Sequence, residues 1–110
     1  MDALSKKKMQ ISAALENNTA TLHLGGQFTF SAHRDFKAAY MRQLENDKIG
    51  NIIINLECVD YLDSAALGML LVLRDQVSKT SKSLFLSKPS PVSARTFDIA
   101  GFDKLFAINP

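Results

Sequence analysis

The sequence predicts an α/β domain: a mixed β-sheet of about four to five strands covered by about three to four helices, in the order ββαβαβαβ. Three observations lead there. Two segments of alternating polarity flank the turn-like Glu16-Asn17-Asn18 near the start. A β-branched block, Asn51-Ile52-Ile53-Ile54-Asn55-Leu56, precedes an almost unbroken apolar helix. From there to the C-terminus, short apolar runs alternate with segments of helical spacing. With 110 residues and 46% hydrophobic content, the chain suits one domain with a single core, expected over residues 9–110.

Residues 1–8 are polar and include Lys6-Lys7-Lys8. They read as a flexible, solvated lead rather than a contact to acidic lipid. From Met9 the pattern alternates, with Met9, Ile11, Ala13 and Leu15 pointing one way and Gln10, Ser12 and Ala14 the other, as in a half-buried strand. Thr19 to Leu24 alternates again, with Ala20, Leu22 and Leu24 inward, which completes a hairpin. Gly25-Gly26 then breaks the strand and signals a turn or bulge. The pair lacks the third glycine and spacing of a dinucleotide loop.

Thr29-Phe30-Ser31 leads into a helix, with Thr29 or Ser31 as its cap. Phe36, Ala39, Tyr40 and Leu44 fall on its inner face, and Arg34, Asp35, Lys37 and Arg42 face water. After the central strand comes an acidic loop containing Asp60 and Asp63, and then the helix that starts at Asp63-Ser64. Ser and Asp suit such a start because their oxygens accept from unpaired backbone N–H groups. Ser64 is therefore expected at the mouth of the helix, its hydroxyl near solvent, where the terminal partial charge favours a phosphate.

At 100° per residue, Ala66, Leu70, Leu73 and Val77 share the core side of this helix, flanked by Leu67 and Met69. Ser64, Gly68, Leu71 and Asp75 form the opposite strip, an exposed ridge with the serine at its top. Gly68 costs the helix about 1 kcal/mol relative to alanine. Two accounts of it stand side by side: packing against a neighbouring element, or close approach of a partner protein. Leu84-Phe85-Leu86 is a short strand, and Ser90-Pro91 opens a helix over Val92 to Ala100 that Gly101 stops. Leu105, Phe106 and Ile108 make a last strand or packed tail.

Several function classes are disfavoured. A formal net charge of +2 is small for nucleic-acid binding. The single cysteine, Cys58, cannot form an internal disulfide, and a reducing cytoplasm is the simplest compartment. No leader pattern opens the chain, and its longest apolar run is well short of the roughly 20 residues that span a bilayer. Neither direct membrane insertion nor a cofactor is expected. His23 and His33 have no partners at ligand spacing. Ser64 lacks the G-x-S-x-G context of a nucleophile, and no histidine is placed to act as its base. Asp60 and Asp63 do not match a calcium loop and read as cap and solvation residues. No enzyme is expected.

The segment Ile52 to Val72, above all Asp63-Ser64-Ala65-Ala66-Leu67-Gly68, resembles the helix-start motif of STAS domains. More narrowly, it is similar to bacterial anti-sigma-factor antagonists, whose motif is typically Asp-Ser-Ser/Thr-Gly-Leu-Gly. Gly26-Gln27-Phe28-Thr29 and Ala100-Gly101-Phe102-Asp103-Lys104-Leu105-Phe106 are similar to further elements of that family. The resemblance implies a non-enzymatic switch, and the chain is expected to be a monomer. In the family, the serine that matches Ser64 is phosphorylated by an anti-sigma factor with serine-kinase activity, which the unmodified form binds. A serine phosphatase resets it.

On this reading Asp60, Asp63, Ser64, Ala65, Gly68, Leu71 and Asp75 contact the partner. Ala65, Ala66, Thr29 and Asn55 depart from the family pattern, and the first two bear on kinase fit. Two other roles come with the same fold: an adaptor subunit of a membrane lipid-transport complex, and an antagonist in a non-sigma pathway such as motility or biofilm control.

Overall fold

The computed structural model describes residues 8–110. Most of the polar lead expected over 1–8 lies outside the described residues. The order along the chain is β1 (Gln10–Glu16), β2 (Thr19–Phe28), α1 (His33–Leu44), β3 (Asn51–Leu62), α2 (Ser64–Ser78), β4 (Ser83–Ser87), α3 (Pro91–Ala100) and β5 (Ala107–Asn109). Short 3₁₀ turns precede α1 and follow α3. The five strands form one sheet in the order β1-β2-β3-β4-β5. β1 runs antiparallel to β2, and every later neighbour pair is parallel. The predicted order and mixed sheet are both present.

The hairpin closes where Glu16 pairs with Thr19, leaving Asn17 at φ 56°, a left-handed conformation that asparagine tolerates. In β2, Ala20, Leu22 and Leu24 are buried while His23 faces solvent; in β3, Ile52 and Ile54 are buried and Ile53 only half so. One face of the sheet therefore carries the core. On it lie Phe36 and Tyr40 of α1, Ala66, Leu70 and Leu73 of α2, and Phe97 of α3, all buried. Aromatic pairs tie elements together. Phe28 meets Phe36 at 5.0 Å between ring centroids, and Phe97, Phe102 and Phe106 stack in series at 5.3 and 4.9 Å.

Four expectations are corrected. Gly25-Gly26 does not break β2, which runs on to Phe28. Of the two alternatives, turn or bulge, the bulge is present: the glycines sit among register shifts against β3, with Gly26 at φ 84°. A bulge keeps pairing alive where a turn would end it. Because β2 continues, β3 has a partner beyond Leu56 and extends to Leu62, so Glu57 and Asp60 belong to a strand and not to an acidic loop.

The first strand buries little. Ala13 is exposed and Leu15 is 56% exposed, because β1 is a sheet edge that the helices leave largely uncovered. Neither Thr29 nor Ser31 caps a backbone N–H; their hydroxyls bond each other at 2.9 Å, and the residue before α1 is Ala32. By contrast, α3 starts and stops as expected: Ser90 accepts from the Ser93 N–H at 3.3 Å, and Gly101 takes φ 71°.

Candidate functional site

The end of β3 delivers one extended residue, Asp63 (φ −110°, ψ −178°), before the chain turns into α2. Its Oδ1 accepts from the Ala66 N–H at 2.9 Å, and its carbonyl accepts from Ala66 and Leu67 at 3.1 and 3.3 Å. Its own N–H donates to the Phe28 carbonyl at 3.3 Å, which pins the helix start to the end of β2. Asp63 is the cap, and of the two residues suited to the helix start Ser64 makes no capping bond. The reason is geometric: a capping residue is extended, whereas Ser64 already has helical geometry. Ser64 occupies the first helical position, exposed, where backbone N–H groups have no partner within the helix.

Below it the ridge is laid out as the 100° spacing requires. Gly68 is exposed, Leu71 is 39% exposed and Asp75 is exposed, whereas Leu70 and Leu73 are fully buried. A Cβ added at Gly68 would meet nothing within 4 Å. That removes the account in which Gly68 packs against a neighbouring element. Asp75 pairs with Lys79 one turn on, at 3.5 Å, with both side chains about two-thirds exposed (67% and 64%), a pair worth little to stability.

Ala65, half-buried, lies next to Ser64 on the side that faces α1. Asp60 stands apart from the helix. It falls in β3 at a register shift, between Val59, opposite Gly26, and Tyr61, opposite Gln27, and is exposed. Asn55, one of the departures from the family pattern, is buried, and its Oδ1 accepts from the Glu57 N–H at 3.0 Å.

A match to the STAS domain model runs over residues 10–110. The chain belongs to the STAS family. A STAS-domain containing protein of Pseudomonas aeruginosa is 37% identical over 89 residues, covering 81% of this chain and 86% of that one. The anti-sigma-B factor antagonist of Staphylococcus aureus is 30% identical over 66 residues, 60% of this chain and 61% of its own length. The fold is shared with the anti-sigma factor antagonist SpoIIAA in its unphosphorylated form: TM-score 0.74 at 20% identity, over 92% of this chain and 87% of that one. It is shared too with the phosphorylated form of the Bacillus protein SpoIIAA, at TM-score 0.69 and 20% identity, over 92% of this chain and 90% of that one.

Within this STAS domain, three exposed side chains near the site escape sequence reasoning. Phe30 is 71% exposed, Val72 is 52% and Tyr61 is 50%. Val72 was within reach: eight residues after Ser64, it lies about 80° around the helix from it. Phe30 carries no such signal, because it sits in a 3₁₀ turn whose orientation depends on how α1 packs. No helix among the described residues is long and apolar enough to cross a membrane. Nor do the described residues hold a cluster of His, Cys, Asp and Glu able to bind a metal.

Proposed function

We propose that this STAS domain is an anti-sigma factor antagonist: a cytoplasmic, monomeric binding module rather than an enzyme, switched by phosphorylation of Ser64. The observation that carries the reading is an exposed serine at the first position of α2, standing at the head of an exposed ridge that nothing in the fold occupies. In its unmodified form, the ridge of Ser64, Gly68 and Leu71 docks on an anti-sigma factor with serine-kinase activity. Asp63, Ala65 and Asp75 flank it on α2 or at its cap, and Asp60, on β3, adds to the same partner contact.

Phosphorylation adds about −1.5 to −2 charge at neutral pH. That charge falls beside Asp63 and on a surface that a partner approaches closely, so docking is lost by repulsion and bulk. The phosphate itself suits the helix start and requires no refolding. A serine phosphatase restores the binding form.

The test is capture of partners by three forms of the chain, followed by mass spectrometry of the partner and of Ser64. Wild type and Ser64→Ala should retain an anti-sigma factor that contains a kinase domain, and Ser64→Asp should retain it less. With that kinase and ATP, wild type should be labelled and Ser64→Ala should not. Equal labelling of both, or equal capture by all three, rejects the switch. Capture of transporter subunits in their place would support the adaptor role.

A further inference from the structure

We propose that the cleft between α1 and α2 is a binding site for an anionic amphiphile, an acyl chain ending in a carboxylate. The cleft has a volume of about 450 Å³, within the range of about 300–1,000 Å³ usual for small-molecule sites. Phe36 and Met41 of α1 and Met69 and Val72 of α2 line it, together with the exposed Phe30. Thioether side chains adapt their shape to an apolar guest. On the α2 side, Ala65 to Gln76 border the cleft, about 16 Å at 1.5 Å per residue, the scale of a medium-length acyl chain.

Charge decides the head group. Among the described residues, Lys37 and His33 are the basic ones lining the cleft, and no carboxylate lines it. Of the nearby acids, Asp35 borders a different groove, against β1. Asp75 pairs with Lys79, and Asp63 is engaged at the Ala66 N–H. His33 is stacked on Phe30 at 6.1 Å, so an imidazole and an exposed aromatic stand together among the lining residues, and Lys37 supplies the positive charge. An apolar trough with the Lys37 ammonium in its lining and, among the described residues, no acid there complements a carboxylate-headed chain better than a neutral one. Gly68 forms part of the wall, and its missing Cβ leaves the trough open.

Binding to the purified chain does not depend on the switch proposed above, so either idea can fail alone. The probe is decanoate, kept below its critical micelle concentration, with decanol as the uncharged comparison. Titration is followed by calorimetry and by backbone amide NMR shifts. Decanoate should saturate at one per chain, move the amides of Ala65, Gly68 and Phe30, and bind about tenfold or more tightly than decanol.

Lys37→Glu, on an exposed position, should weaken decanoate about tenfold or more and leave decanol unchanged. Gly68→Leu, which fills the trough from an open position, should abolish both. Circular dichroism of each variant checks that it is folded, and Lys37→Glu serves alone if Gly68→Leu is not. Absence of saturable binding, equal binding of decanoate and decanol, or shifts confined to residues outside the cleft overturns the proposal. So does wild-type affinity in the folded variants.

Discussion

Asp63 Oδ1 accepts the Ala66 N–H at 2.9 Å, and the next residue, Ser64, is left exposed at the first helical position. Capping and the candidate modification therefore reside on different side chains. Asp63→Ala should cost about 0.5–2 kcal/mol. Ser64→Ala should stay within about 0.5 kcal/mol, as expected of a surface change that breaks no cap. Urea unfolding of the two variants separates them, and equal losses would mean that Ser64 shares the cap.

Leu70 and Leu71 are neighbours with opposite surroundings, fully buried and 39% exposed respectively. Leu70→Ala should cost about 2–5 kcal/mol, because it empties a site packed beneath the sheet face. Leu71→Arg should leave stability within about 0.5 kcal/mol while weakening capture of the partner. A folded Leu71→Arg protein that still binds as wild type would place the docking surface elsewhere.

Much of this was legible in the sequence for a definite reason. Helical periodicity depends on local geometry alone, so α2 could be split correctly into Ala66, Leu70 and Leu73 inside and Ser64, Gly68 and Leu71 outside. Strand ends are different, because they depend on what pairs with them. The extension of β3 to Leu62 rests on β2 continuing past Gly25 and Gly26, which a local reading takes as a stop. Caps fall between these cases. Asp63, Ser64, Thr29 and Ser31 all have suitable side chains. Thr29 is as extended as Asp63, but its hydroxyl bonds Ser31. Backbone angles and the side chain's own partner together decide which of them caps.

Tyr40 gives a prediction at alkaline pH. It packs edge-on against Phe36 at 5.2 Å, and burial raises its hydroxyl pKa above the ordinary value of 10.0. Between the unfolded and folded values the native state holds the extra proton, so its stabilising contribution is complete below about pH 10. That contribution is lost as pH rises through the higher folded value. Tyr40→Phe should flatten this part of the stability profile, measured by chemical unfolding from pH 9 upward. An unchanged alkaline slope would mean that other groups cause it.

Gly68→Ala separates what the fold needs from what a partner needs. The added Cβ meets nothing within 4 Å, and Gly68 lies inside a helix where alanine is favoured by about 1 kcal/mol. The variant should therefore be more stable, by up to about 1 kcal/mol. Gly101 provides the contrast. Its surroundings are equally open, but its φ of 71° penalises any side chain, so Gly101→Ala should be destabilised by about 1 kcal/mol or more. A glycine that weakens its own helix without easing a contact or a backbone angle has its reason outside the fold. If that reason is a partner lying close over the ridge, Gly68→Ala will melt later and be captured less well. Greater stability with undiminished capture would free Gly68 of that role, and the partner would have to approach from another side of Ser64.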